Sequence, residues 1–314
     1  YPYPALAEKV GGIILRRVVT VMQDLAIFGA AVPFMLLASE TLQQLVEKLA
    51  GLNFSFCYWL LITTIILTPL LWLGTPKDLG VVTWIGASSV VLVSILTLVG
   101  LILDAPDTSD PAPVTPSLAA AAYCFAAVAF QFDIHPMILT VQMDMRQKHR
   151  LPHALVVAFI VWLTRAIFQL LLCLVLGINT LFQDLENSLH IPDEFGWRRI
   201  CLRTTVMLLV LFVCESIPHF AVAIELVGGL LVTPFIFIFP PAFHILIKHK
   251  ASGRVDVRDV VLAANIMCLG AVGCIAATVE SFIQVVKLKE FAPPCYINIT
   301  AASAITDSTG FPNP

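Results

Sequence analysis

The sequence predicts an all-α, polytopic helical membrane protein, and three observations carry that prediction. Of its 314 residues, 59% are hydrophobic and only 12% are charged. Mean hydropathy is +0.91. Soluble globular domains carry about 25% charged residues, so a chain this apolar cannot cover its own surface in water. Finally, apolar runs of about 20 residues, the length needed to cross a bilayer, recur from one end of the chain to the other.

In order, eight such runs lie at about 15–38, 54–73, 81–103, 117–142, 154–178, 200–217, 220–247 and 259–286. Segments rich in turn formers separate several of them: "GTPKDLG" at 74–80, "DAPDTSDPAP" at 104–113, "RQKHRLP" at 146–152 and "KHKASGR" at 248–254. Lys and Arg collect in short cytoplasmic loops, which sets the orientation. Arg16 and Arg17 place the entry of the first run inside. Lys77 then falls inside, Asp104, Asp107 and Asp110 outside, and Arg146, Lys148 and Arg150 inside. Continued, this scheme brings the fifth run to an end outside, near Gly177.

The second half obeys the same rule from a different start. Arg198, Arg199 and Arg203 mark the entry of the sixth run as cytoplasmic, and Lys248, Lys250 and Arg254 do the same for the exit of the seventh. The halves disagree by one crossing between residues 178 and 197, a stretch too polar to span by itself. A re-entrant fifth segment or an absent spanning helix restores parity, and the absent helix is the expectation.

Other classes fit poorly. A net charge of −3 with no basic stripe offers nothing to neutralise phosphates, so nucleic acid is not an expected partner. Eight cysteines are scattered with no C-x-x-C pair, most of them inside apolar runs (Cys124, Cys173, Cys214, Cys268, Cys274). They are expected to act as small buried hydrophobes rather than as a metal site or disulfide framework. No phosphate-cradling loop, nucleophile elbow or zinc spacing is present, so neither an enzyme nor a metal site is expected. A heptahelical receptor would need seven spans. The opening at Tyr1 shows no signal peptide.

Polar groups inside the runs carry the functional reading. "FQFDIHP" at 130–136 places Asp133 and His135 in apolar chain just before Pro136. A charged side chain at a helix centre costs about 2.5–3.5 kcal/mol on insertion scales, so Asp133 is either paired for packing or functional. His135 suits a backbone hydrogen bond and a proton carrier equally. Pro136 removes a backbone donor and disfavours an unbroken helix, which predicts an interruption near 131–136. Arg165 falls at a similar depth in the fifth run, making an Asp133–Arg165 ion pair a candidate for coupling, with other partners for Arg165 left open. Glu215, Pro218 and His219 sit at an outer, interfacial end. Gly228, Gly229 and Pro234 mark either a discontinuous helix or, the simpler account, close helix packing. Two sequons occur, at Asn53 and Asn298. The second lies in the tail expected outside and is the candidate for glycosylation.

Several segments together resemble the amino acid/auxin permease family. "AFQFDIHPMILTVQMDM" (129–145) is similar to that family's sixth helix, and "PLLWLGTPKDLGVVTWIG" (69–86) to the junction of its fourth and fifth. "ESIPHF" (215–220) with "LVGGLLVTPFIFIFPPAFHIL" (226–246) resembles its ninth-to-tenth helix passage, and "YPALAEKVGG" (3–12) the stretch before its third. The resemblance implies an inverted-repeat transporter fold of five, five and one helices, here incomplete. The first two helices would lie ahead of Tyr1, and the eighth would be cut out before "TLFQDLENSLHIPDEFGWRR". It further implies secondary transport of amino acids or related small zwitterions, coupled to H+ or Na+, at the plasma membrane or an endolysosomal or vesicular membrane. In such folds substrate sits where helices break near the midplane. That makes Phe130, Gln131, Phe132, Asp133 and His135 the candidate substrate contacts. Many members have glycine where this chain has Gln131 and Phe132, so the pocket is expected to be narrower. A shortened member could also be a non-transporting membrane partner, and no uptake is expected from a chain lacking half the site.

Overall fold

The computed structural model describes residues 2–52, 54–72, 117–131, 169–192, 196–217, 220–291 and 294–297, together with Val99. Every regular element among these is helical: α1 (Pro2–Ala50), α2 (Phe56–Trp72), α3 (Leu118–Gln131), α4 (Gln169–Ser188) and α5 (Trp197–Ser216). A long rod follows, built from α6 (Phe220–Leu226), two π-helical stretches (Val227–Val232 and Pro234–Ile238) and α7 (Phe239–Ser252). The last helix is α8 (Val257–Phe291). Among the described residues three helices are long and apolar enough to cross a membrane, Pro2–Ala50, Val222–Ser252 and Val257–Val286, and two shorter apolar ones run over Phe56–Pro69 and Leu118–Phe130. The expected run at 81–103, the far half of 117–142 and the first part of 154–178 lie outside the described residues.

In lipid the backbone must satisfy itself and surfaces should be apolar. Both hold here. Hydroxyls inside helices bond back one turn, Thr64 to the Leu60 carbonyl at 2.8 Å and Ser281 to Ala277 at 2.7 Å. Along α8 a stripe of large hydrophobics, including Leu262, Leu269, Ile275 and Phe282, faces outward rather than into the core. Helix contacts instead form through small residues. A Cβ built on Gly229 would lie 2.6 Å from the Ala277 Cβ, and one on Gly270 2.3 Å from the Phe237 Cβ.

Helix α1 starts well before the expected first run. Residues 3–12 are themselves helical, and Gly12 interrupts them with φ 81° and ψ −172°, a conformation that favours glycine. The break orphans carbonyls at the end of the first segment. Lys250 supplies the donors, its Nζ bonding the Lys9 carbonyl at 2.8 Å and the Val10 carbonyl at 2.9 Å.

Contacts sort the helix ends onto two faces. Cys57, at the start of α2, is disulfide-bonded to Cys295, past the end of α8. The Cys295 N–H also donates to the Glu215 carbonyl near the end of α5 (2.9 Å). At the opposite ends of these helices, Arg203 near the start of α5 reaches the Leu71 carbonyl near the end of α2, and Lys248 pairs with Asp256 and Asp259 near the start of α8. This is the division of ends that the Lys and Arg pattern implies. It sets the disulfide on the face opposite Arg203 and Lys248.

The disulfide itself corrects the reading of the cysteines. Cys214 does behave as a buried hydrophobe, but Cys124 and Cys268 are exposed, Cys274 is only partly buried, and Cys57 and Cys295 are bonded across a sequence separation of 238. No spacing announces a pair so remote. Only the fold brings their Cα atoms to 5.7 Å, within bonding range.

The parity conflict also takes a different form from the one expected. Residues 169–188 are one helix that runs past Gly177 toward the face of Leu71, because Glu186 near its end is held by Arg199 and Arg203. Hydropathy falls at Asn179, Gln183 and Asp184, but helical hydrogen bonding continues through them. The sixth run therefore does begin on the side its arginines imply. Residues 132–168, which join α3 to α4, lie outside the described residues.

Candidate functional site

The rod from α6 to α7 shows how the sequence builds an unusual stretch of backbone. Pro234 has no N–H, and inside a helix its ring presses on the carbonyl four residues back. The chain absorbs this by slipping into π register. The Thr233 N–H and its Oγ1 both donate to the Gly228 carbonyl (2.7 Å for the hydroxyl), and the Phe239 N–H donates to Pro234. The rod is therefore continuous rather than broken.

Gly228 and Gly229 pack as the sequence suggested. A Cβ on Gly228 would lie 2.3 Å from the Ala126 carbonyl oxygen and 3.1 Å from the Phe130 Cβ. The π stretch therefore rests directly on the end of α3. Phe130 is buried there, its ring 5.4 Å from that of Phe34, in one cluster with Ala30, Ile224, Val227 and Val232. Of the other sequence candidates, Gln131 is the last described residue of α3. Phe132, Asp133, His135, Arg165 and Asn298 lie outside the described residues, as does the expected interruption at 131–136.

Sequence reasoning missed the group nearest this junction. Glu225, in the last turn of α6, is 0% exposed, and among the described residues neither of its carboxyl oxygens has a hydrogen-bond partner. Among those residues its charge interacts with that of Glu280 on α8 and reaches Tyr123 on α3. Glu225 is the sole carboxylate in the run 220–247. The insertion-cost argument that singled out Asp133 would have found it.

Two further polar clusters lie between helices. The carboxyls of Asp24 on α1 and Asp184 on α4 face one another, and Asp24 lines a shallow groove with Val21, Leu25, Phe28, Leu181 and Leu185. Nearer the face of Leu71, Glu186 accepts from Arg199 Nε at 3.1 Å and from Arg203 Nε at 2.7 Å, all three buried. Arg203 also reaches the Leu71 carbonyl, and its guanidinium carbon lies 5.1 Å from the Phe182 ring centroid. This network ties α2, α4 and α5 into one block. Its carboxylate is fully engaged by two guanidinium groups, so it can orient helices. Glu225 is not so engaged, and it is the chemically available group.

Comparison with known proteins supports the resemblance read from the motifs. A family model described as "Transmembrane amino acid transporter protein" matches residues 1–175 and 165–283. The chain is 30% identical over 103 residues to the vesicular GABA transporter of Caenorhabditis elegans, a match covering 32% of this chain and 20% of that protein. It thus spans about a fifth of that relative's length. No solved structure matches it. With the family model extending over nearly all of a helical, multi-pass chain, this protein belongs to the transmembrane amino acid transporter family.

Proposed function

We propose that this chain performs secondary transport of amino acids or related small zwitterions, driven by a proton or sodium gradient, at the plasma membrane or an endolysosomal or vesicular membrane. The observation that carries the reading is the junction of α3 with the π-helical rod. There the helix leading into "FDIHP" packs on irregular backbone beside an uncompensated buried carboxyl. Irregular backbone and buried ionisable groups inside a membrane mark substrate and ion pathways. In this reading the eight runs form part of an inverted-repeat fold. Phe130, Gln131, Phe132, Asp133 and His135 contact substrate, and Asp133 with Arg165 forms a coupling pair.

The test is uptake by the 314-residue chain reconstituted in sealed vesicles. Labelled GABA, glycine, alanine and glutamine would be offered under an imposed proton or sodium gradient. Accumulation above the level without a gradient supports the proposal, and equal levels for all four under both gradients refute it for this chain. A second reading, a shortened member that does not transport, is favoured by one observation. The two family matches overlap at 165–175, so one stretch of chain answers to two parts of the model. That reading predicts the second outcome.

A further inference from the structure

We propose that Glu225 is the proton-binding site of the transport cycle, an inference that rests on the transport reading and deepens it by naming the coupling ion and its holder. Buried carboxyls in folded proteins are ordinarily hydrogen-bonded or ion-paired, because stranding a charge away from water costs several kcal/mol. This molecule contains that ordinary solution: Glu186, 1% exposed, is held by two arginines. At Glu225, 0% exposed, both oxygens are left without a donor among the described residues. A purely structural carboxyl would resemble the first case.

The surroundings select the ligand. From α8 the titratable group within reach is Glu280, and from α3 it is Tyr123. The adjacent Ile224 packs in one apolar cluster with Ala30 and Phe34 of α1 and with Val227 and Val232 of the rod, none of them titratable. Among the described residues no cation faces Glu225. The rod is packed closely on both neighbours here: a Cβ at Gly228 would meet the Ala126 carbonyl of α3 and one at Gly229 the Ala277 side chain of α8. A proton is the one cation that a carboxyl holds with no further ligand, because it is bound by a single O–H bond.

The position suits a site that loads and unloads. Glu225 is five residues from the start of α6 at Phe220, about 7.5 Å along the helix axis, so a small opening of that end admits water. The proton arrives from hydronium: one O–H bond forms on the carboxyl as one breaks in hydronium, leaving water. Charged, Glu225 repels Glu280 across the α6–α8 contact; protonated, it lets the two helices close. The adjacent π register gives the rod a second backbone arrangement through which to do so.

The site is tested by pH-difference infrared spectroscopy of the whole chain in phosphatidylcholine vesicles, followed by GABA uptake. The wild type is expected to show a protonated-carboxyl C=O band that titrates, Glu225→Gln to lose it, Glu225→Asp to keep it at a shifted frequency, and the exposed-loop control Asp256→Asn to leave it unchanged. In uptake, one proton per substrate across a one-unit pH gradient sustains about tenfold accumulation. Glu225→Gln should reduce this to about onefold while substrate exchange persists. Identical infrared titrations in wild type and Glu225→Gln overturn the site, as does undiminished accumulation by Glu225→Gln. Should Glu225→Gln fail to fold, an unshifted band in Glu225→Asp overturns it instead. A wild type that shows the Glu225 band but accumulates nothing refutes the transport reading and leaves the proton site standing.

Discussion

Replacing Glu186 with Gln removes one charge from a buried cluster of three and leaves its shape almost intact. Its carboxylate accepts from Arg203 through both oxygens, at 2.7 Å and 3.3 Å, and from Arg199 at 3.1 Å. Side-chain exposure is 2% for Glu186, 0% for Arg203 and 5% for Arg199. Water cannot take over the lost interaction at such depth. Gln still offers one oxygen to one guanidinium, but the negative charge that Glu186 sets against the two arginines is gone. Breaking a buried pair from one side costs about 3–5 kcal/mol, and the Phe182 ring returns little, since cation–π contacts contribute about 0.5–2 kcal/mol. At about 2–4 °C per kcal/mol for a domain of 150–250 residues, the apparent Tm should fall by about 6–20 °C. The assay is intrinsic fluorescence of the purified chain in detergent during heating, run on Glu186→Gln, Arg203→Gln and the double variant. Interacting residues show coupling energies of about 0.5–3 kcal/mol in such a cycle. A fall in Tm below about 2 °C, or strictly additive single effects, would show that the cluster does not hold α2, α4 and α5 together.

Three further outcomes follow from the packing. Cys57→Ser should destabilise the chain by about 2–4 kcal/mol, and non-reducing peptide mapping of the wild type should recover Cys57 linked to Cys295; recovery of both as free thiols would contradict the fold. Gly228→Ala should cost about 1–3 kcal/mol, because its methyl would collide with the Ala126 carbonyl, which as backbone cannot step aside; an unchanged Tm would mean that α3 does not rest on the π stretch. A cysteine placed at Ser252 should resist a membrane-impermeant maleimide in sealed cells, whereas one at Leu52 should react. Labelling at Ser252 would reverse the orientation.

The sequence by itself determined the class of this protein, the lipid-facing composition of its helices and its family. Each follows from local quantities: apolar run length, the placement of Lys and Arg, and motifs that keep their residues in order. Close packing at Gly228 and Gly229 was legible for the same reason, since glycine inside an apolar run has few other uses. Glu225 was equally legible, a lone carboxylate in its run, and went unread because attention fell on Asp133. What only the tertiary structure decided is which remote groups meet. The Cys57–Cys295 bond, the capping of Lys9 and Val10 by Lys250 and the Glu186–Arg199–Arg203 cluster each join segments whose spacing along the chain carries no signal. The continuation of α4 past Gly177 belongs with them. Hydropathy measures transfer of side chains into lipid, whereas a helix persists wherever its backbone bonds and its polar groups find partners, and those partners came from α5.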